Sequence, residues 1–336
     1  MAETMPAVGF RAPQPIDATD ALIDAEVPVP VPGARDLLVE VRAVSVNPVD
    51  TKVRRRPVAD DSFKILGWDA SGVVAAVGDE VSRFSVGDEI YYAGAINRPG
   101  CDAAYHLVDE RIVGHKPRTL THAEAASLPL TAITAWESLF DRLGARPGDD
   151  RVLIIVGAAG GVGSVMVQLA RARTDLTVVG TASRPDSRRW LEELGVHHVI
   201  DHRRTLADQI EEIAPYGAAY LFSPYSTGRA GDFAAALAPQ GHLVAIDDPE
   251  EFDITAFKAK SISFHWESMF TRPVFEAPDV AEQGRLLDQV AALVEDGKVR
   301  HTMTRAVSGI TAANLIDAHR EIETGRMIGK LVLIRD

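Results

Sequence analysis

The chain has 336 residues, 46% of them hydrophobic and 25% charged, and 35 basic against 48 acidic side chains give a net charge of -13. That composition fits a folded chain long enough for two domains, and the acidic balance argues against nonspecific nucleic-acid binding. No apolar run reaches the roughly 18–20 residues of a membrane span, and a lone cysteine, Cys101, excludes an intrachain disulfide or a multi-cysteine zinc site. The start, "MAETMPAVGF", has neither the basic region nor the apolar core of a secretory signal. With a single cysteine, a reducing cytoplasm is the expected setting.

In chain order, the first 120 or so residues read as short strands and turns. "DLLVEVRAVSV" (Asp36 to Val46), "GVVAAVG" (Gly72 to Gly78) and "GDEIYYAG" (Gly87 to Gly94) are valine-rich or partly alternating, with Gly and Pro between them. Arg54 to Arg56 form a basic run, read as a solvated loop or, less simply, as a neighbour of an anionic ligand. From Thr121, "THAEAASLPLTAITAWESLFDRLG" has apolar residues at helical spacing, interrupted at Pro129. Beyond it, strand-like and helix-like pieces alternate. "LTVVGTA" precedes "DSRRWLEELG", "VHHVID" precedes "LADQIEEI", and "AAYLF" precedes "GDFAAALA" and "GHLVAID". That rhythm predicts a parallel sheet covered by helices. An amphipathic helix is expected near Val280 to Asp296, with Leu286, Leu287, Val290, Leu293 and Val294 on one face. The closing "IGKLVLI" is expected to return to the first domain.

The densest signal is "VLIIVGAAGGVGSVMVQLARA", Val152 to Ala172. A buried strand is expected over Arg151 to Val156 and a helix from about Gly161, with Val162, Val165, Met166 and Leu169 toward the sheet. The spacing Gly157-x-x-Gly160-x-x-Gly163 allows a tight turn, a close approach of backbone to phosphate, and close helix–strand packing. Ala158 replaces a glycine of the usual pattern, so the match is to a variant. A pyrophosphate resting on Ala159, Gly160, Gly161 and Val162 would meet free N–H groups at the positive end of a helix. A glycine-rich turn needed only for packing is the plain alternative. No Gly-Lys-Ser/Thr follows, so this is not a P-loop.

The next strand bears on the cofactor. An enzyme of the unphosphorylated dinucleotide places Asp or Glu there against the ribose 2′-hydroxyl. This chain reads "GTASRPD" instead, with Ser183 and Arg184 at the strand end and Asp186 beyond a proline. A hydroxyl and a guanidinium suit a 2′-phosphate, which favours NADPH; a solvated loop arginine is the alternative.

The whole chain resembles the medium-chain dehydrogenase/reductase superfamily, in its zinc-free, quinone oxidoreductase-like branch often labelled zinc-type alcohol dehydrogenase-like. The stretches that carry the likeness run from about residue 38 to 333. They include "VRAVSVNPVDTKVR", "ILGWDASGVVAAVGDEVSRFSVGDEIYY", "AASLPLTAITAWESL", "AAGGVGS" and "GKLVL". The resemblance implies an α/β chain with a GroES-like, mostly β domain over 1–128 and a Rossmann domain over 129–272. Residues 273–336 would complete the first domain. It also implies an active site in the cleft between domains, a homodimer, and NADPH-dependent reduction of quinones or activated alkenes.

Zinc-dependent relatives carry a Cys-x-x-Asp segment, a Gly-His-Glu segment and four structural cysteines. Here the corresponding residues are Asn47-Pro48-Val49-Asp50 and Gly67-Trp68-Asp69, and the cysteine run is missing. Asp50 and Asp69 have no histidine or thiolate beside them in these motifs, so no metal is expected. Without a Lewis acid, alcohol oxidation is disfavoured.

By the same resemblance, Asn47 lies near the nicotinamide ribose and substrate, Thr131 at the nicotinamide face, Phe264 along the nicotinamide, and Lys330 near the cofactor. Each has a structural alternative: a loop cap, a core hydroxyl, sheet packing and a solvated lysine. Hydride transfer builds negative charge on the acceptor oxygen. Tyr92 or Tyr91, Asn47, or a cofactor hydroxyl are the candidate donors, and water is a sufficient proton source. His265 and Trp266 are read as packing residues, His197 and His198 as structural or surface, and Cys101 as a packed thiol. A quinone reductase is the leading expectation. An enone reductase and a non-catalytic NADPH-binding redox sensor are its rivals.

Overall fold

The computed structural model describes residues 3–56 and 62–335. The first two residues of the terminal stretch read above lie outside that range. The chain divides into two compact units, Met1–Leu130 with Phe270–Asp336, and Thr131–Met269.

The first unit opens with strands β1 (Thr4–Phe10), β2 (Ile23–Pro28), β3 (Asp36–Ser45), β4 (Lys64–Ile65), β5 (Ala70–Val77), β6 (Glu89–Tyr92), β7 (Tyr105–Asp109) and β8 (Val113–His115). In β3, Leu37, Val39 and Val41 are fully buried and alternate with half-buried residues, the period-two pattern of a strand with one face on the core. The second unit carries β9 (Val152–Ile155), β10 (Thr177–Thr181), β11 (His198–Ile200), β12 (Ala218–Ser223), β13 (Leu237–Ala245) and β14 (Ser263–Trp266). The chain then returns to the first unit with β15 (Met303–Ser308) and β16 (Lys330–Ile334).

In the first unit a small sheet has the order β2-β1-β4, and the main sheet runs β15-β16-β3-β5-β6-β8 with β7 also paired to β3. The last strand therefore does return. β16 lies antiparallel to β3, with Val332 opposite Ser45. The expected amphipathic helix spans Glu282–Glu295 and buries all five of its named apolar residues. The hydroxyl of Tyr91 donates to Leu287 O at 2.6 Å, tying β6 to that helix.

The second unit has a six-stranded sheet in the order β11-β10-β9-β12-β13-β14, parallel throughout. Numbered within the unit this order is 3-2-1-4-5-6, the doubly wound dinucleotide fold, in which ligands bind where the strand order reverses. The chain is thus a GroES-like, mostly β unit joined to a Rossmann unit.

Several local expectations change. Pro129 opens the helix Pro129–Trp136 rather than only interrupting one, because a proline costs nothing where the N–H has no partner within the helix. The segment then winds as a π-helix over Glu137–Arg142. The helix Gly161–Arg173 buries Val165, Met166 and Leu169 as expected, and Val167 and Gln168 too, whereas Val162 is only half-buried. Arg54 is not solvated: it ends the helix Pro48–Arg54, is 1% exposed, and donates to Glu323 Oε1 and to Gln14 O at 2.6 Å. It bonds the first part of the chain to the last helix, Ala312–Glu323. No helix among the described residues is long and apolar enough to cross a membrane.

Candidate dinucleotide and acceptor sites

In the second unit, the turn after β9 has the geometry its glycines suggested. Gly157 adopts φ +63°, a left-handed conformation that a side chain disfavours. Its N–H donates to Thr181 Oγ1 at 3.0 Å, fastening the turn to the end of β10. Gly160 caps the helix Gly161–Arg173. A glycine cap brings no side-chain oxygen to the first-turn N–H groups, which leaves them for an anion. A Cβ on Gly163 would lie 2.5 Å from Ala158 Cα, so the helix touches the turn that leads into it at backbone distance. Three glycines thus do three separate jobs, and a pyrophosphate over Ala159, Gly160, Gly161 and Val162 fits this turn.

A fourth contributor went unread in the sequence. Tyr225, just past β12, lays its ring against Gly157; a Cβ there would stand 3.3 Å from Tyr225 Cε2. β9 and β12 are neighbours whose connections leave in opposite directions, so Tyr225 sits at the reversal point of the sheet.

Ser183 and Arg184 follow β10, and Arg184 caps the helix Pro185–Glu193. Sequence reading also passed over Arg203. Its Nη2 lies 3.4 Å from Ser183 O, and Asp201 grips the same guanidinium at 2.7–3.2 Å. Burial holds the His202 imidazole below its usual range; Asp201 opposes that shift, while Arg229, Arg203 and Arg184 add to it. The end of β10 is therefore a basic corner, and the carboxylate nearest Arg203 is engaged by it.

Thr131 is buried in the helix Pro129–Trp136. Phe264, on β14, packs edge-on to Trp266 at 4.8 Å between ring centres and against Phe252 at 5.3 Å. His265 stacks on His242. His197 accepts from Val178 N at 2.8 Å, a structural role.

In the first unit, strand register assembles a buried polar cluster. Val332 pairs with Ser45, and Val44 pairs with Ala70. Continuing both ladders brings Lys330, Asn47 and Asp69 together where β16, β3 and β5 meet. Lys330 Nζ donates to Val46 O at 2.7 Å and to Asn47 Oδ1, and lies 3.2 Å from Asp69 Oδ2. Asn47 Nδ2 donates to Ser45 O at 3.2 Å and to Asp69 Oδ2 at 3.1 Å. Asp69 Oδ1 accepts from Leu130 N at 3.0 Å, and Asp50 Oδ2 accepts from Asn47 N at 2.6 Å. The solvated-lysine alternative thus fails, since Lys330 is 3% exposed.

Burial pushes the Asp50 carboxyl up to about 7, so near neutrality it holds its proton half the time. Burial also pushes Asp69 up and Lys330 down, and each opposes the shift of the other. Asn47 has both amide hydrogens and its carbonyl engaged inside the fold. Tyr92 is likewise committed: its hydroxyl lies 3.0 Å from His106 Nδ1 and its ring stacks on that imidazole, fully buried. The structure joins Asn47 with Lys330 but gives Tyr92 a different partner. Cys101 is a packed thiol, pushed well up by burial.

Zinc does not fit this cluster. Trp68 stands where zinc-dependent relatives have histidine, and its indole donates to Ala95 O at 3.1 Å. The Lys330 ammonium already lies between Asn47 and Asp69. Among the described residues no three of His, Cys, Asp and Glu are grouped to hold a metal ion. A cavity of about 620 Å³ opens in the same unit; the aromatic rings of Phe10, Phe63, Trp68 and Tyr105 line it together with the cationic Lys64 and Arg98, and the cluster of Asn47, Asp69 and Lys330 does not.

Comparison with known proteins agrees with this architecture. Residues 33–129 match the alcohol dehydrogenase GroES-like domain, and residues 194–333 match zinc-binding dehydrogenase. A zinc-type alcohol dehydrogenase-like protein of Staphylococcus aureus is 38% identical over 98% of this chain and 99% of its own. A crystal structure described as that of a zinc-dependent alcohol dehydrogenase protein from Rhizobium etli CFN 42 superposes with a TM-score of 0.96 at 52% identity, covering 99% of each chain. The quinone oxidoreductase from Coxiella burnetii does so at 0.83 and 25% identity, again over 99% of each. By fold, by coverage of both family models and by full-length relatives, the chain belongs to the medium-chain dehydrogenase/reductase superfamily, alongside its quinone oxidoreductase-like members.

Proposed function

We propose that the chain reduces quinones by hydride transfer from NADPH, without catalytic zinc. The observation that carries this reading is the basic corner at β10, where Arg184 and Arg203 attend Ser183 and the strand end bears no carboxylate. A 2′-phosphate is the dinucleotide feature that such a corner recognises. NADPH, when bound, supplies a hydride.

The chain's own residues do the rest. The turn from Ala159 to Val162 receives the pyrophosphate, and Ser183, Arg184 and Arg203 receive the 2′-phosphate. Thr131 and Phe264 flank the nicotinamide. Asn47 and Lys330 are not donors to the acceptor oxygen, because their donors are spent within the fold. The Tyr92 hydroxyl serves His106, so the reduced acceptor takes its proton from water. The aromatic cavity of the first unit suits a flat ring acceptor. We further propose a homodimer formed through β14, the outer strand of the Rossmann sheet, where Trp266 is 53% exposed.

The test is steady-state oxidation of NADPH and NADH against quinones and simple enones. Quinone-dependent turnover with NADPH preferred supports the proposal. Turnover with enones alone moves the substrate to activated alkenes, and a preference for NADH overturns the reading of Arg184 and Arg203. NADPH binding with no turnover on any acceptor points to a sensor.

A further inference from the structure

We propose that the Lys330 ammonium is the resident cation of the first unit: it fills the place between the two segments in which zinc-dependent relatives carry their ligands, and there it orients the Asn47 amide. Lys330 is a positioning residue, and its effect passes through Asn47.

An ammonium has three N–H donors. Lys330 meets three acceptors: Val46 O, Asn47 Oδ1 and Asp69 Oδ2. No donor is left over and no water is needed. The register of β16 on β3 and of β3 on β5 fixes these acceptors, so the cation site is built into the ladder. The ammonium also settles which way the amide faces. With Oδ1 turned to Lys330, Nδ2 reaches Ser45 O and Asp69 Oδ2. Rotated by half a turn, Nδ2 would point its hydrogens at an ammonium and Oδ1 would face two acceptors. Asp50, also buried, is the second acid that acts on Lys330. One fixed charge thus balances the Asp69 carboxylate without an exchangeable ion.

The proposal rests on the zinc-free reading above only in its catalytic arm, so the primary test reads no activity. Lys330→Ala leaves a cavity of ammonium shape beside Asp69. Its Tm is expected to fall by roughly 4–7 °C, and ethylammonium is expected to recover part of that loss while tetramethylammonium, which has no N–H, does not. The unaltered chain should respond to neither. Equal behaviour of the two amines overturns the proposal.

Should Lys330→Ala not fold, the double variant Asp69→Asn with Lys330→Met replaces the pair by neutral groups. The double variant is expected to be more stable than Asp69→Asn alone; additive losses overturn the pairing. On the unaltered chain, one equivalent of zinc taken up in dialysis and lost in Asp69→Asn also overturns it. In the catalytic arm, the reductase activity of the unaltered chain should survive exhaustive chelation, because the cluster's cation is a side chain. An unaltered chain with no reductase activity sinks the proposed function and leaves the Tm result standing.

Discussion

Each unit buries charge, and the two do it in opposite ways. In the first unit, Asp69 and Lys330 carry opposite signs and each of their polar atoms has a partner, although the neighbouring Asp50 Oδ1 has none. In the second, Glu267 is buried beside another acid, Glu137, with Arg142 Nε at 2.7 Å as the compensating charge. Burial, reinforced by Glu137 and opposed by Arg142, pushes the Glu267 carboxyl well above its usual range. A matched buried pair is costly to break, whereas a mismatched one is relieved when a charge is removed. The first cluster therefore specifies a geometry, and the second sets two acids against one guanidinium at the π-helical turn Glu137–Arg142.

The largest expected effect breaks the matched side. Asp69→Asn leaves the Lys330 ammonium buried and unpaired and should cost about 3–5 kcal/mol in urea unfolding. A loss below about 1 kcal/mol would mean that the pair is not ionised. Next, Gly163→Val forces side-chain atoms into the 2.5 Å gap to Ala158. It should cost about 1–3 kcal/mol and abolish NADPH binding measured by fluorescence, which would separate dinucleotide binding from the events in the first unit.

The mismatched side should respond with the other sign. Glu267→Gln mimics the protonated side chain. It should stabilise by roughly 1–2 kcal/mol near pH 8–9 and have little effect near pH 5. Two raised carboxyls of the unaltered chain, Asp50 at about 7 and Glu267 at about 9, act with one sign. Both bind protons more tightly folded than unfolded. Their contribution is full below pH 4 and is lost as pH rises through 7 and then 9, so stability from these groups declines across that window. Buried imidazoles held low, His106 and His319 among them, act with the opposite sign, so the check is the difference between the unaltered chain and Glu267→Gln: a difference that is flat with pH contradicts the burial argument. The smallest effect concerns the cofactor: Arg203→Ala should raise KM for NADPH roughly tenfold and leave NADH unchanged.

How much of this was legible depends on how local each feature is. The dinucleotide turn lies within seven residues, Gly157 to Gly163, and a glycine pattern between an apolar strand and an apolar helix is readable from spacing alone. The Lys330 cluster unites residues 283 apart in sequence. Asn47, Asp69 and Lys330 were each noticed, yet only the ladder of β16, β3 and β5 shows that they share one ion pair. Arg203 escaped notice because it follows β11, whereas the dinucleotide pattern directs attention to the end of β10. Arg54 misled because a run of three arginines reads as surface, and its partner Glu323 lies on a helix near the other end of the chain. Tyr92 was singled out for its hydroxyl, but nothing local announces that His106 holds it.

The central claim is that a fixed lysine, with no metal, serves this dehydrogenase-like fold. Its most direct test is quinone reduction by the purified chain before and after exhaustive chelation, with zinc content measured on the same samples. Unchanged NADPH-dependent turnover at far below one zinc per chain is the predicted result. Turnover lost on chelation and restored by one equivalent of zinc would contradict the account.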